Sequence, residues 1–509
     1  MGQRNARKMW FPKRKDSRAD PKASALIYNR HSFNLLLGTM GYSRVLSGFG
    51  RRRPWVLVGS VLVFASMLGC GDIYRPIVTN VPPVQPASQP TKYAVVISCG
   101  SSTNISTSII DQVCASSTTP GLASLIDFSG DTLMVRVNLG NGPRWLGLGT
   151  TGLTSYIPNA DGTISSFFNS TSTETNNVNT STLLSDAAPN TLLKTSKYLY
   201  VSQPGRSSIA VMSNAGGVPN VILEVPISDP QAPQVQQNPV NLVGNASTQR
   251  IYAIAQGPEA ANCPSSGNVG SVTAIETTTN TISNVFRSTS TPIAYTGVCP
   301  IYGVMSQDNR RAFILNQGSG TVTVIDSQQN EIDKNPTLTN GNIIVGQGPV
   351  WADIYNTGAI LAVVNSQSNT LSLINISTDS FGNDTPNFGQ TIATVPVGND
   401  PTSVAVLQDG TRAYVANTGD GTVSVVSLIS NTVLKTIPLP QEPCQATNPS
   451  VLCPVHPISI AATTGTPLGK VYVVSPDTNV LTILRTDNDT IYENLGLTGN
   501  GIQVRVTAP

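Results

Sequence analysis

The chain has 509 residues, of which only 11% are charged. Its formal charge of +2 averages two unlike parts: residues 1–70 hold 13 Lys/Arg and two acids, Asp16 and Asp20, whereas residues 71–509 hold 17 Lys/Arg against 26 Asp/Glu, a net of −9. An acidic segment 71–509 with six dispersed lysines and no basic stripe argues against nucleic-acid binding, because neutralising phosphates takes clustered Lys/Arg.

Residues 1–39 are basic and carry no recognisable motif; Met40 offers an alternative start that gives the following segment a more ordinary length. Arg51-Arg52-Arg53 precedes the apolar run Trp55 to Leu68, which ends in Gly69-Cys70. A positive n-region, an apolar stretch and a small residue before a cleavage point are the parts of a secretory signal. A hydrocarbon core needs about 20 apolar residues, so the run is short for a span, with a retained membrane anchor as the alternative. The Gly69-Cys70 junction resembles a bacterial lipobox, which implies diacylation of the Cys70 thiol, cleavage before it and membrane attachment through the lipid. Residues 71–90, ending VPPVQPASQP, read as a Pro-rich tether. The remainder, 91–509, is expected to be one β-rich domain.

That domain is built on repetition. RAYVANTGDGTVSVVSLISNTV at 412–433 matches RAFILNQGSGTVTVIDSQQNEI at 311–332, with further copies at 359–378 and 470–491 and weaker ones at 155–172, 197–214 and 250–282. In each, a β-branched or aromatic run such as Ala413-Tyr414-Val415-Ala416 meets a polar turn, Asn417 to Gly421, and an alternating run follows, Thr422-Val423-Ser424-Val425-Val426. This is a hairpin signal. A third strand, Val433 to Ile437, follows a second turn, and another strand enters ahead of the hairpin through Asp400-Pro401. Four antiparallel strands per repeat make a propeller blade. The predicted fold is therefore all-β: a seven-bladed β-propeller of four-stranded antiparallel blades. An open ring would leave sheet edges unpaired. The strands at Leu122–Val137 and Ile502–Val506, outside the copies, are expected to share the blade that closes it.

The phrases Tyr414-Val415-Ala416-Asn417, Thr422 to Val426 and Asn431-Thr432-Val433 resemble the YVTN-type propeller repeat, as does Asn316 with Thr321-Val322-Thr323-Val324-Ile325-Asp326. The resemblance covers about 155–491. It implies an exported envelope protein, and no copy carries the Gly-His and Trp-Asp pair of WD repeats.

Setting Cys70 aside, six cysteines remain, and an even number in an oxidising compartment favours disulfides. Six allow 15 pairings; order along the chain suggests the local pairs Cys99–Cys114, Cys263–Cys299 and Cys444–Cys453. Without a CxxC and with His456 as the sole histidine beyond the leader, no Cys/His metal site is expected. The Asn/Asp/Gly turns stand where hairpins need them and lack an EF-hand's ligand set. No cofactor is expected. A Ser/His/Asp triad has only His456 to draw on. His456 shares the Pro-entry position of the blades with Tyr302, Trp351 and Asp400, which makes these four the candidate ligand site at one channel mouth. The expected function is a noncatalytic cell-envelope scaffold, lipid-anchored, periplasmic or at the surface, meeting an envelope protein or glycan on its loop-bearing faces. The alternative, by fold analogy, is an enzyme of lactonase-like or quinoprotein/amine-dehydrogenase-like type.

Overall fold

The computed structural model describes residues 92–507 except for 101–113, 115–118, 170–177, 214–217, 229–236, 258–262, 264–268, 284–292, 356–358, 442, 446–447, 453–454 and 464–468. For the short hairpin Pro443–Gln445 with Asn448–Leu452 it describes the backbone alone. The leader, Met40, Cys70, the tether and the Cys444–Cys453 pair therefore lie outside the described residues or side chains.

Each of the seven repeat copies forms its own antiparallel sheet, giving blades 1 to 7 at 147–182, 192–226, 239–298, 300–344, 349–396, 401–438 and 459–496. Blade 6 is typical: Pro401–Val406, Arg412–Asn417, Thr422–Ser427 and Thr432–Pro438 lie in that order from the ring axis outward. An eighth sheet remains. The C-terminal strand Asn500–Val506 pairs with Tyr93–Cys99, followed by Pro120–Asp127 and Leu133–Asn141. Eight blades thus replace the expected seven. The two chain ends do share the closing blade, with Val96 opposite Val504, but they build it entirely from residues outside the copies. Tyr93–Cys99 was the uncounted strand.

The middle strands are buried on both faces because every blade is sandwiched between two others. Arg412–Asn417 and Thr422–Ser427 are covered along almost their whole length, whereas the outer strand Thr432–Pro438 is largely exposed. The alternating hydroxyls of T-V-S-V therefore do not lie on an open face: Ser424 is buried and Thr422 half-buried, and a buried hydroxyl needs a partner. Asn417 supplies it: its Nδ2 donates to Thr422 Oγ1 and Ser424 Oγ, both at 2.9 Å. Asn159, Asn316 and Asn365 make the same pair of bonds in blades 1, 4 and 5, at 2.9–3.1 Å, and all four asparagines are wholly buried. A glycine nineteen positions ahead of each (Gly140, Gly297, Gly346, Gly398) lies so close that a Cβ would come within 2.5–2.8 Å of the amide.

Neighbouring blades are latched at their periphery. Tyr200 Oη donates to Asn280 Oδ1 of the next blade at 2.6 Å, and Tyr414 Oη donates to Asp489. Both acceptors sit in left-handed turn positions, φ 56° and 53°. Arg412 adds an ion pair to Asp489 at 2.6 Å. Across the closing seam, Lys470 Nζ pairs with Asp131 at 2.5 Å and donates to Phe128 O at 2.5 Å. Disulfides join Cys99 to Cys114 in the closing blade, and Cys263 of a blade 3 insertion to Cys299 at the start of blade 4. Such bridges fit an oxidising compartment. Among the described residues no helix is long and apolar enough to cross a membrane.

Candidate ligand site in the central channel

The inner strands ring the axis, and their first residues decide what points into it. In blades 4, 5 and 6 the strand opens with a proline preceded by a left-handed residue: Cys299 (φ 54°), Gly348 (φ 67°) and Asp400 (φ 46°). The ladder register then slips between the proline and the second residue after it. A bulge of this kind re-aims side chains. Tyr302 and Trp351 occupy that second position in blades 4 and 5, and Trp145 occupies it in blade 1, after Gly142-Pro143.

These three aromatics meet across the ring. Tyr302 and Trp351 stack with centroids 4.2 Å apart and planes 12° apart. Trp145 lies 5.8 Å from Trp351 and 6.4 Å from Tyr302. Blades 1 and 5 are diametrically opposed in an eight-bladed ring, so the contact between their tryptophans plugs the channel. All three rings are nearly buried.

Beyond the plug, toward the mouth where the inner strands end, lie two adjoining cavities of ≈ 330 and ≈ 240 Å³ that share Leu148, Tyr302, Val304, Asp353 and Arg505 as wall. Arg505, on the closing blade's inner strand, places its guanidinium 5.0 Å from the Trp145 ring centroid. Among the described residues it makes no hydrogen bond or ion pair through its side chain, and its buried Nε is unpartnered. Desolvation lowers its pKa, opposed by Tyr302 and Asp353. Asp353 accepts from the backbone N–H of Ile354 at 2.9 Å and of Val406, in the next blade, at 2.8 Å. Burial pushes its carboxyl up to about 6 against those bonds and Arg505. Burial likewise pushes the Tyr302 phenol up to about 12, so it stays neutral. Lys194 joins the larger cavity from blade 2, and burial lowers its pKa.

The four residues singled out from sequence separate into two pairs. Tyr302 and Trp351 wall the cavities. Asp400 and His456 stay at the opposite mouth, where inner strands begin, and line neither cavity. His456 Nδ1 pairs with Asp477 Oδ2 at 2.7 Å, and the same oxygen accepts from the His456 backbone N–H at 2.9 Å. Burial raises the Asp400 pKa, with His456 opposing. Trp145, Asp353 and Arg505 escaped sequence reasoning. Trp145 carried a usable signal, since Gly140-Asn141-Gly142-Pro143-Arg144-Trp145 has the same glycine, proline and tryptophan spacing as Gly346-Gln347-Gly348-Pro349-Val350-Trp351. Among the described residues no three His, Cys, Asp or Glu side chains gather to hold a metal ion.

No family model matches the chain, and no curated protein matches it. Solved structures do, at the level of fold. Dihydro-heme d1 dehydrogenase NirN, in complex with DHE, superposes with a TM-score of 0.54 at 10% identity, covering 83% of this chain and 76% of that one. Apo AztD from Citrobacter koseri superposes with a TM-score of 0.51 at 12% identity, covering 82% of this chain and 98% of that one. At such identities the likeness is one of propeller architecture.

Proposed function

We propose that the protein is a noncatalytic cell-envelope lipoprotein whose propeller holds a small ligand in the central channel while its loop-bearing faces meet an envelope protein or glycan. The YVTN-type repeat phrases and the Gly69-Cys70 junction support the envelope placement, with Cys70 as the lipidated residue. Mass spectrometry of the mature N-terminus tests the anchor: a diacylated Cys70 supports it, and an intact leader contradicts it.

The observation that carries the binding role is the Arg505 guanidinium, whose Nε is buried and which faces the Trp145 ring and makes no side-chain hydrogen bond among the described residues, on the wall of a channel cavity. A concave recess that combines aromatic and aliphatic wall with a few convergent polar and charged groups has the composition of a binding site. Chemistry has less to work with there. Tyr302 remains protonated, Asp353 spends both oxygens on backbone N–H groups, and the only His beyond the leader is at the other mouth. The test is a thermal-shift screen with anionic, neutral and cationic compounds, lactones included, on the wild type and on Val304→Trp, which fills the shared cavity wall. The reading expects stabilisation of the wild type, none of the variant, and recovery of the compound unchanged. Turnover of a lactone, lost on mutating His456, Asp400 or Trp351, would establish the enzyme alternative instead.

A further inference from the structure

The channel cavity has a charge preference and a shape preference, and the two point to one chemistry. Its charged wall groups are Arg505, Lys194 and Asp353. Asp353 is already engaged by two backbone N–H donors from adjacent inner strands, so its role is to tie blade 5 to blade 6. Lys194 gives one bond, to Thr195 O at 2.5 Å, and an ammonium has two more protons to give. Arg505 gives none among the described residues, although its Nε is buried. A buried donor left unmatched is costly, and a guanidinium is a planar fork suited to a carboxylate. Among the charged wall groups the open hydrogen-bonding capacity is therefore donor and cationic, beside the neutral amides of Asn241, Asn245 and Gln307. Tyr302 and Trp145 supply a flat aromatic part of the wall, nearly buried, beside the aliphatic Leu148, Leu192 and Leu242.

Resting on the reading of the channel as a ligand site, we infer that this cavity takes a small carboxylate with a flat apolar body, its carboxylate on Arg505 with Lys194 in support and its body against the Trp145–Tyr302 wall. Lone phosphate or another compact anion would satisfy the fork but leave the aromatic wall empty. A neutral flat molecule would cover the wall but leave the guanidinium unpaired.

Calorimetric titration of the full chain with 2-naphthoate, 2-naphthamide and inorganic phosphate separates these cases. The acid should bind at least tenfold more tightly than the amide, as expected for a hydrogen bond to a charged group, and phosphate should not compete with it at equal concentration. Arg505→Gln should erase the acid–amide difference while the unfolding midpoint shows the ring intact, and Lys194→Met should weaken the acid severalfold. Equal binding of acid and amide, abolished by Val304→Trp, overturns the carboxylate assignment and leaves the channel site standing. Phosphate binding as tightly as the acid overturns the flat-body half. Heat from none of the three overturns the inference altogether, and the broader compound screen then decides separately whether the channel binds anything. The acid–amide comparison needs only the wild type, so a misfolded variant does not rescue the inference.

Discussion

At the scale of single residues, the repeat's most informative letter is its asparagine. Asn417 and its three equivalents are there because both faces of a blade are buried and two strand hydroxyls must be satisfied by one amide. Replacing Asn417 by Ala strands both hydroxyls and should cost about 2–3 kcal/mol in urea-induced unfolding. Gly398→Ala should destabilise by the same route, since its Cβ would press on the Asn417 amide. An unchanged midpoint in both variants would mean that the network contributes nothing. Asp353 makes a prediction about pH. Its folded pKa, about 6, is raised from the ordinary 3.8, so the protonated group favours the fold below about pH 4 and that contribution is lost as pH rises through 6. The unfolding midpoint of the wild type relative to Asp353→Asn should therefore fall between pH 4 and pH 7, measured by thermal melts; a pH-independent difference contradicts the buried-carboxyl assignment. These two residues also differ in legibility. The asparagine recurs beside a glycine turn and can be read as part of a motif. Arg505 and Asp353 cannot, because a lone charge in an alternating strand such as Ile502-Gln503-Val504-Arg505-Val506 reads as a solvent-facing position. On an innermost strand that polar face looks instead into the channel.

At the scale of strands and blades, the repeats were legible because each copy carries its own hairpin, and all seven copies became separate sheets. The eighth blade was not counted because no single stretch of sequence encodes it; its four strands come from opposite ends of the chain and share no repeat phrase. The outer strands were also poorly legible. In blades 3 and 4 the outer position is divided between Thr281–Ile282 and Ile293–Val298, and between Glu331–Ile332 and Asn342–Ile344. Three of these four segments are only two or three residues long and carry too little pattern to identify. The closing seam has two tests. Deleting residues 500–509 removes the inner strand of the closing blade and should sharply lower the thermal midpoint; an unchanged midpoint would contradict the closure. Lys470→Met leaves the buried Asp131 carboxylate unpaired and should cost about 3–5 kcal/mol, most of it regained in Lys470→Met with Asp131→Leu. A double variant as unstable as the single one would show that packing, not the ion pair, holds the seam.

At the scale of the whole molecule, eight blades set the diameter of the ring, and the diameter sets what the axis can hold. Three aromatic side chains from blades 1, 4 and 5 reach one another across it and leave a recess toward the mouth where the inner strands end. The resulting division of labour has a channel for a small ligand and outer faces for larger partners. It rests on whether binding happens at the axis. The four tryptophans of the chain allow a direct answer, since two, Trp10 and Trp55, lie in the leader and the others, Trp145 and Trp351, are both in the plug. In a full chain carrying Trp10→Phe and Trp55→Phe, intrinsic fluorescence reports the channel alone. Every small compound that stabilises the protein should also quench or shift that emission, with the same midpoint concentration in both signals. A compound that raises the melting temperature while leaving the emission of Trp145 and Trp351 untouched would place the ligand site elsewhere on the propeller and contradict the account.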